Sequence, residues 1–202
     1  MMITKTNHDS DQILHLINPN TIGAEIGVWE GSSSSKFIKK NLKKLYLVDP
    51  YSVEGYEPAI AQKDPTFNME TYLERYKKLT GGNDIESFNR YYDKVHARVV
   101  KKFKSHKEVE VIRKTSTEWF EKYNGEKLDW IYIDGDHSYT GVINDLNNCL
   151  HIMKEGGLIL GDDYKWESTG DKGGVKKAVN EFVQKMNLKL ERHGNTQFSI
   201  RL

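Results

Sequence analysis

Short apolar runs alternate along the chain with longer stretches in which apolar residues recur every three or four positions. The first pattern is that of strands buried on both faces; the second is that of helices with one inward stripe. The first run is Ala24–Val28, with Ile22 just before it. Behind it, Gly31-Ser-Ser-Ser-Ser35 offers capping side chains to a helix whose Phe37, Ile38 and Leu42 face inward. Lys44–Asp49 is the second run, stopped by Pro50, and Val109–Ile112 is the third, followed by a short helix near Ser116–Tyr123 that buries Trp119 and Phe120. The fourth, Leu128–Ile133, leads into a helix carrying Val142, Ile143, Leu146, Leu150 and Met153 on one face. Gly156-Gly157 is expected to stop that helix, and Gly157–Gly161 is the fifth run. A further helix follows, with Val175, Ala178, Val179, Phe182, Val183 and Met186 inward, and the tail reads as a hairpin of Leu188–Arg192 and Gln197–Leu202.

Strands alternating with helices predict an α/β fold, a doubly wound and mostly parallel sheet closed by an antiparallel hairpin. Residues 51–107 break the alternation: the segment is charged, holds six of the 11 tyrosines, and carries helical patterns over Met69–Leu79 and Ile85–Phe103. It is expected as a helical cap or insertion within one domain spanning 1–202, serving as a lid or as the contact of a homodimer.

The length of 202 residues suits one core. Lys and Arg number 30 against 29 Asp and Glu, and this balance gives no electrostatic case for nucleic-acid binding. The single Cys149 excludes an internal disulfide and fits a reducing compartment. No apolar stretch approaches the roughly 20 residues needed to span a bilayer, and the first residues lack a signal-peptide core. A soluble, cytoplasmic protein with a small-molecule partner is the expectation.

In a doubly wound sheet ligands bind beyond the C-terminal strand ends. After the first run comes Glu25-Ile-Gly27-Val-Trp-Glu-Gly31, whose glycines permit a tight turn and close approach of a ligand, as they also would in an ordinary strand-to-helix connection. The acids beside this turn disfavour a phosphate, and a pyrophosphate-binding G-x-G-x-x-G is absent, which argues against a dinucleotide. Asp49 lies 22 residues after Gly27, a spacing suited to the hydroxyls of a ribose and equally to a turn before Pro50. The fourth and fifth runs end in Asp134-Gly-Asp136-His137 and Asp162-Asp163. If these strands are neighbours, four carboxylates crowd within a few ångströms, which either solvent or a cation must relieve. Asp134, Asp162 and Asp163 could supply oxygen ligands to Mg2+ or a similar cation. His137, three residues past Asp134, is placed for a general base or for a hydrogen bond at a helix start.

With AEIGVWEGSSS, LYLVDPYS, VIRKTSTEW, DWIYIDGDHSYTGVINDL, GGLILGDDY and GVKKAVNEF in this order, the chain resembles the class I S-adenosylmethionine-dependent methyltransferases. The IDGDHSY and GDDY pair resembles the small metal-dependent O-methyltransferases: the catechol type, those acting on macrolide sugars, and the cephalosporin-hydroxylase-like group. The resemblance implies that Glu25, Gly27 and Gly31 surround the methionine part of the cofactor, that Asp49 binds the ribose, and that Ser116 lies near the adenine. It implies Asp134, Asp162 and Asp163 as metal ligands, with Asp134 also beside the cofactor. His137 stands where catechol-type relatives carry a lysine, so His137 or Asp134 is the expected base.

The expected reaction is Mg-assisted methyl transfer to an oxygen of a small acceptor, with Tyr51, Tyr56 and Trp166 near the acceptor by position. A nucleotide-sugar glycosyltransferase using Asp134-Gly-Asp136, and a non-catalytic cofactor-binding protein of the same fold, are the alternatives.

Overall fold

The computed structural model describes residues 12–53, 69–165 and 173–202. Seven strands form one sheet: β1 (Ile22–Ile26), β2 (Lys44–Asp49), β3 (Val109–Arg113), β4 (Leu128–Ile133), β5 (Met153–Gly161), β6 (Leu190–His193) and β7 (Gln197–Arg201). Their order across the sheet is β3-β2-β1-β4-β5-β7-β6. The pairs from β3 to β5 are parallel, and β7 is antiparallel to both β5 and β6. The chain reverses its direction of travel between β1 and β4, so the switch point at which such sheets bind ligands falls at their C-terminal ends.

Alternation along each strand sends side chains to two separate cores. Ile22, Ala24 and Ile26 of β1, with Ile131 and Ile133 of β4, pack on helices α4 (Ser116–Lys122), α5 (Tyr139–Ile152) and α6 (Gly174–Met186). Leu45, Leu47, Trp130 and Tyr132 face the other way, against Ile13, Ile17, Phe37 of α1 (Ser34–Phe37), and Val95, Val99 and Phe103 of α3 (Ile85–Phe103). Helix α2 (Met69–Thr80) joins a third, smaller cluster with Val53 and Phe88.

Two expectations change. The helix after β4 ends at Ile152, and Met153, expected on its inward face, opens β5 instead. Met153 pairs with Leu128, so strand pairing takes it out of the helix before the glycines are reached. The helix Ile85–Phe103, expected within a cap, is the crossover between parallel β2 and β3. Two parallel neighbours must be joined by such a helix. Asp84 caps its start by accepting from the Ser87 N–H (2.7 Å). Its Val95, Val99 and Phe103, spaced four apart, are buried, each contributing about 1.5–3 kcal/mol of transfer free energy. A helix anchored this way belongs to the core. Among the described residues no helix is long and apolar enough to cross a membrane.

Close packing of β1 on β4 depends on a missing side chain. Gly23 pairs in register with Trp130, whose indole lies across it, and a Cβ there would stand 2.0 Å from Trp130 Cε2. The indole N–H is meanwhile tied to Thr21 Oγ1 (3.1 Å), which opposes its displacement. Gly23→Ala is therefore expected to destabilise the protein by about 1–3 kcal/mol in urea unfolding, the usual cost of overpacking; an unchanged midpoint would show that the indole yields freely.

Candidate functional site

Backbone hydrogen bonds continue past the strands and zip their C-terminal ends together. Gly27 N–H donates to Val48 O (2.9 Å), Asp134 N–H to Ile26 O (2.8 Å), and Asp162 N–H to Ile133 O (3.2 Å). The loops after β2, β1, β4 and β5 thus lie side by side. Gly27 has φ 86°, and a Cβ on it would meet Asp134 O at 2.2 Å, so this crossing of two backbones requires glycine.

Glu25 and Asp49 stand on the β1–β2 side, both buried. Ser34 Oγ donates to Glu25 Oε2. Burial holds the Glu25 carboxyl well above its usual range; Ser34 pulls the other way, while Asp134 and Asp49 add to the rise and Lys102 opposes it. Asp49 Oδ2 accepts from the N–H groups of Val28 (3.0 Å) and Trp29 (2.9 Å), and Oδ1 from Tyr51 N–H (2.8 Å). Its carboxyl is raised by burial and partly restored by these three donors. Of about four lone-pair positions on the carboxylate, one remains. Lys102 of α3 donates to Gly31 O (2.7 Å) and Glu30 O (3.3 Å), and Arg98 pairs with Glu30 (3.1 Å), so α3 grips the turn after β1.

On the β4–β5 side, Asp134, His137 and Asp163 have ligating atoms all within 4.8 Å of one another. His137 Nε2 lies 2.7 Å from Asp163 Oδ2 and 3.9 Å from Asp134 Oδ1. Burial would drive the proton off His137, but these carboxylates outweigh it and lift the imidazole to about 10, so it is an imidazolium at neutral pH. Asp134 rises to about 6, chiefly through burial, with His137 lowering it. Asp162 does not join the group: its Oδ2 accepts from Tyr132 OH (2.9 Å) and Gln197 Nε2 (3.4 Å), and Oδ1 from Asp163 N–H (2.8 Å). The expected set of Asp134, Asp162 and Asp163 is thus only partly assembled, because Tyr132 and Gln197 turn Asp162 into the sheet, and His137 takes its place. Asp134, Asp136, His137 and Asp162 line one pocket, with Val142 and Val175 at its apolar side.

Asp136 is spent locally: it accepts from Ser138 N–H (2.8 Å) and Oγ (2.9 Å), positioning the cap of α5. An Asp-x-Asp clamp on a diphosphate would need that carboxylate free. Ser116, expected near the adenine, stands just past β3 at the start of α4 and donates to Asp145 Oδ1 (2.6 Å). Tyr51, expected near the acceptor by position, is fully buried beneath α3 against His96, with ring centroids 4.9 Å apart. Tyr56 and Trp166 lie outside the described residues.

Asp145 and Lys102 escaped the sequence reading. Asp145 carried a usable signal, lying three residues after Val142 and four before Cys149, both on the apolar face of α5. Lys102 carried none, since its partner Gly31 is 71 positions away.

S-adenosylmethionine fits the β1–β2 side on its chemistry. Its sulfonium and ammonium would relieve the buried negative charge of Glu25, and its ribose hydroxyl could use the lone pair left on Asp49. The glycine crossing leaves room for close approach. The Asp134–His137–Asp163 group fits a divalent cation that accepts one nitrogen beside two oxygens and displaces the His137 proton as it binds.

Residues 24–164 match the family described as a methyltransferase domain. Protein R132 of Acanthamoeba polyphaga mimivirus is 29% identical over 164 residues, covering 79% of this chain, which spans 58% of that relative's length. The N-methyltransferase NodS of Bradyrhizobium japonicum superposes with TM-score 0.58 at 12% identity, covering 96% of this chain and 92% of that one. An S-adenosylmethionine-dependent O-methyltransferase of Thermotoga maritima gives 0.58 at 8%, covering 96% and 64%. An rRNA methylase of Streptococcus thermophilus gives 0.55 at 13%, covering 100% and 97%. At these identities the likeness is one of fold, and it is the methyltransferase fold.

Asp145 yields a pH test. Burial raises its carboxyl to about 7, so the folded protein keeps it neutral where the unfolded chain has already ionised it. Its favourable contribution is full below about pH 4 and is lost as pH rises toward 7. Asp145→Asn, which keeps the acceptor for Ser116, is expected to flatten the fall in melting temperature between pH 5 and 8. A slope equal to that of the unmodified protein would mean that Asp145 ionises normally.

Proposed function

From the premise that the chain belongs to this methyltransferase-domain family, we propose that it transfers a methyl group from S-adenosylmethionine to a hydroxyl oxygen of a small-molecule acceptor, with a divalent cation, Mg2+ or one accepting an imidazole, beside that oxygen. One observation carries this reading: two buried acids at the ends of β1 and β2 adjoin a carboxylate–imidazole group at the ends of β4 and β5, across strands that are hydrogen-bonded neighbours. A cationic cofactor is thereby complemented on one side and a proton-handling group stands on the other.

S-adenosylmethionine, when bound, supplies an electrophilic methyl on a sulfonium. The chain's own residues do the rest. Glu25 and Asp49 fix the cofactor's charge and sugar, and the turn held by Asp49, Lys102 and Arg98 keeps its place. Rigid placement of the two reactants is the larger part of catalysis for a displacement of this kind. The acceptor hydroxyl must lose its proton as the new C–O bond forms and the C–S bond breaks, and His137 or Asp134 would take it. The carboxylates of Asp134 and Asp163 lift the His137 imidazole to about 10, against the opposing effect of burial; neutralising either one brings it back toward its ordinary range and lets it accept. This requirement favours oxygen over nitrogen as the methylated atom, since a neutral amine can attack before it loses its proton. The balanced net charge of the chain favours a small acceptor over a nucleic acid.

Calorimetric titration with S-adenosylmethionine and with S-adenosylhomocysteine tests the cofactor, each at one site per chain. Asp163→Asn is expected to keep that binding and to lose the separate heat of Mg2+ or Mn2+, and His137→Gln to slow methyl transfer to hydroxyl acceptors by about 100-fold. Absence of binding to either cofactor form would overturn the reading, an undiminished Mg2+ or Mn2+ heat in Asp163→Asn would overturn the cation, and undiminished transfer in His137→Gln would overturn the imidazole as base.

A further inference from the structure

Tyr51 is held at both backbone groups, and yet its hydroxyl meets no partner among the described residues. Its N–H donates to Asp49 Oδ1 (2.8 Å) and its carbonyl accepts from Arg113 Nη2 (2.8 Å). Its φ of 47° is a left-handed conformation that side chains other than glycine rarely adopt. The ring is fully buried against His96. Its hydroxyl is closed off from solvent and has no hydrogen-bond partner among the described residues.

A buried hydroxyl without a partner is destabilising, and the phenylalanine ring would fill the same space without it. Strained backbone and an unsatisfied buried donor on one residue are features that persist where a ligand completes the arrangement. Burial, followed by the negative charges of Asp49 and then Glu25, holds the phenol far above its ordinary range, so it remains a neutral donor. The same two acids are its electrostatic neighbours, and both are acceptors already engaged, Asp49 by three backbone N–H groups and Glu25 by Ser34. No acceptor among the described residues reaches the Tyr51 hydroxyl, so an acceptor must come from outside them.

We infer that Tyr51 is a cofactor-binding residue whose hydroxyl donates to an oxygen that bound S-adenosylmethionine brings, either of its ribose or of its methionine carboxylate. The inference rests on the methyltransferase reading above and adds to it a donor that complements the two acids. The residue completes the β2 end of the site: Asp49 accepts, and two positions later Tyr51 gives.

Tyr51→Phe removes only the hydroxyl. Its affinity for S-adenosylhomocysteine, measured by calorimetry, is expected to fall about five- to tenfold, the size of one hydrogen bond. The melting temperature of the ligand-free variant should stay level or rise, since an unpaired group has been removed. Titration of 5′-methylthioadenosine, which keeps the ribose and lacks the carboxylate, separates the two oxygens. An equal loss assigns the bond to the ribose, and a loss confined to S-adenosylhomocysteine assigns it to the carboxylate. Unchanged affinity would overturn the inference. A variant that melts earlier with unchanged affinity, or that fails to fold, would do the same by showing a structural partner for the hydroxyl. If the unmodified protein binds neither S-adenosylmethionine nor S-adenosylhomocysteine, it is the methyltransferase reading that fails.

Discussion

One buried carboxylate organises the functional end of this molecule. Asp49 accepts from Val28 and Trp29 in the turn after β1 and from Tyr51 in the turn after its own strand. Trp29 and Tyr51 both have left-handed φ, 45° and 47°. Such conformations cost free energy in residues with a Cβ, and the charge-assisted bonds to Asp49 offset part of it. Two loops that share no sequence neighbourhood are thus fixed by one side chain, and the position of Glu25 relative to the end of β2 follows from that.

Around this anchor the protein gathers negative charge that it only partly compensates. Glu25, Asp49, Asp134, Asp162 and Asp163 converge on the ends of four adjacent strands. Within the protein their relief comes from backbone N–H groups, hydroxyls, the His137 imidazolium and the more distant Lys102. Burial outweighs these at Glu25, Asp49 and Asp134, whose carboxyls are all raised. A site in that condition is stabilised by any cation it admits, and in the proposed reading the order of its acids along the sheet keeps the organic cation on the β1–β2 side apart from the proton-handling group on the β4–β5 side.

The crossover helix α3 links stability to this site. Its Val95, Val99 and Phe103 are core residues, and one turn of the same helix sends Arg98 and Lys102 to Glu30 and Gly31. The turn after β1 therefore rides on a helix that cannot leave without exposing a large apolar surface. Preorganisation is the result, and it comes from packing that the chemistry itself does not use.

Much was legible in the sequence because it depends on local periodicity. The strands Lys44–Asp49 and Leu128–Ile133 and the helix Ile85–Phe103 lie where apolar spacing puts them, and strand-to-helix alternation fixes the parallel sheet and hence the end where acids gather. Asp134 and His137 were visible as strand-end candidates for the same reason: their strand ends where its apolar run ends. What required the tertiary structure was the direction in which each acid turns. Asp162 and Asp163 are adjacent and chemically identical, yet Tyr132 and Gln197 claim the first while His137 meets the second. Those partners come from strands 30 and 35 positions away, and no local pattern encodes which carboxylate they will take. Likewise nothing near Tyr51 in sequence announces that its hydroxyl will be buried without a partner among the described residues, because the wall that buries it is α3, folded back across the sheet. Periodicity determines where chains run; hydrogen-bond partnership between distant segments is decided only when they pack.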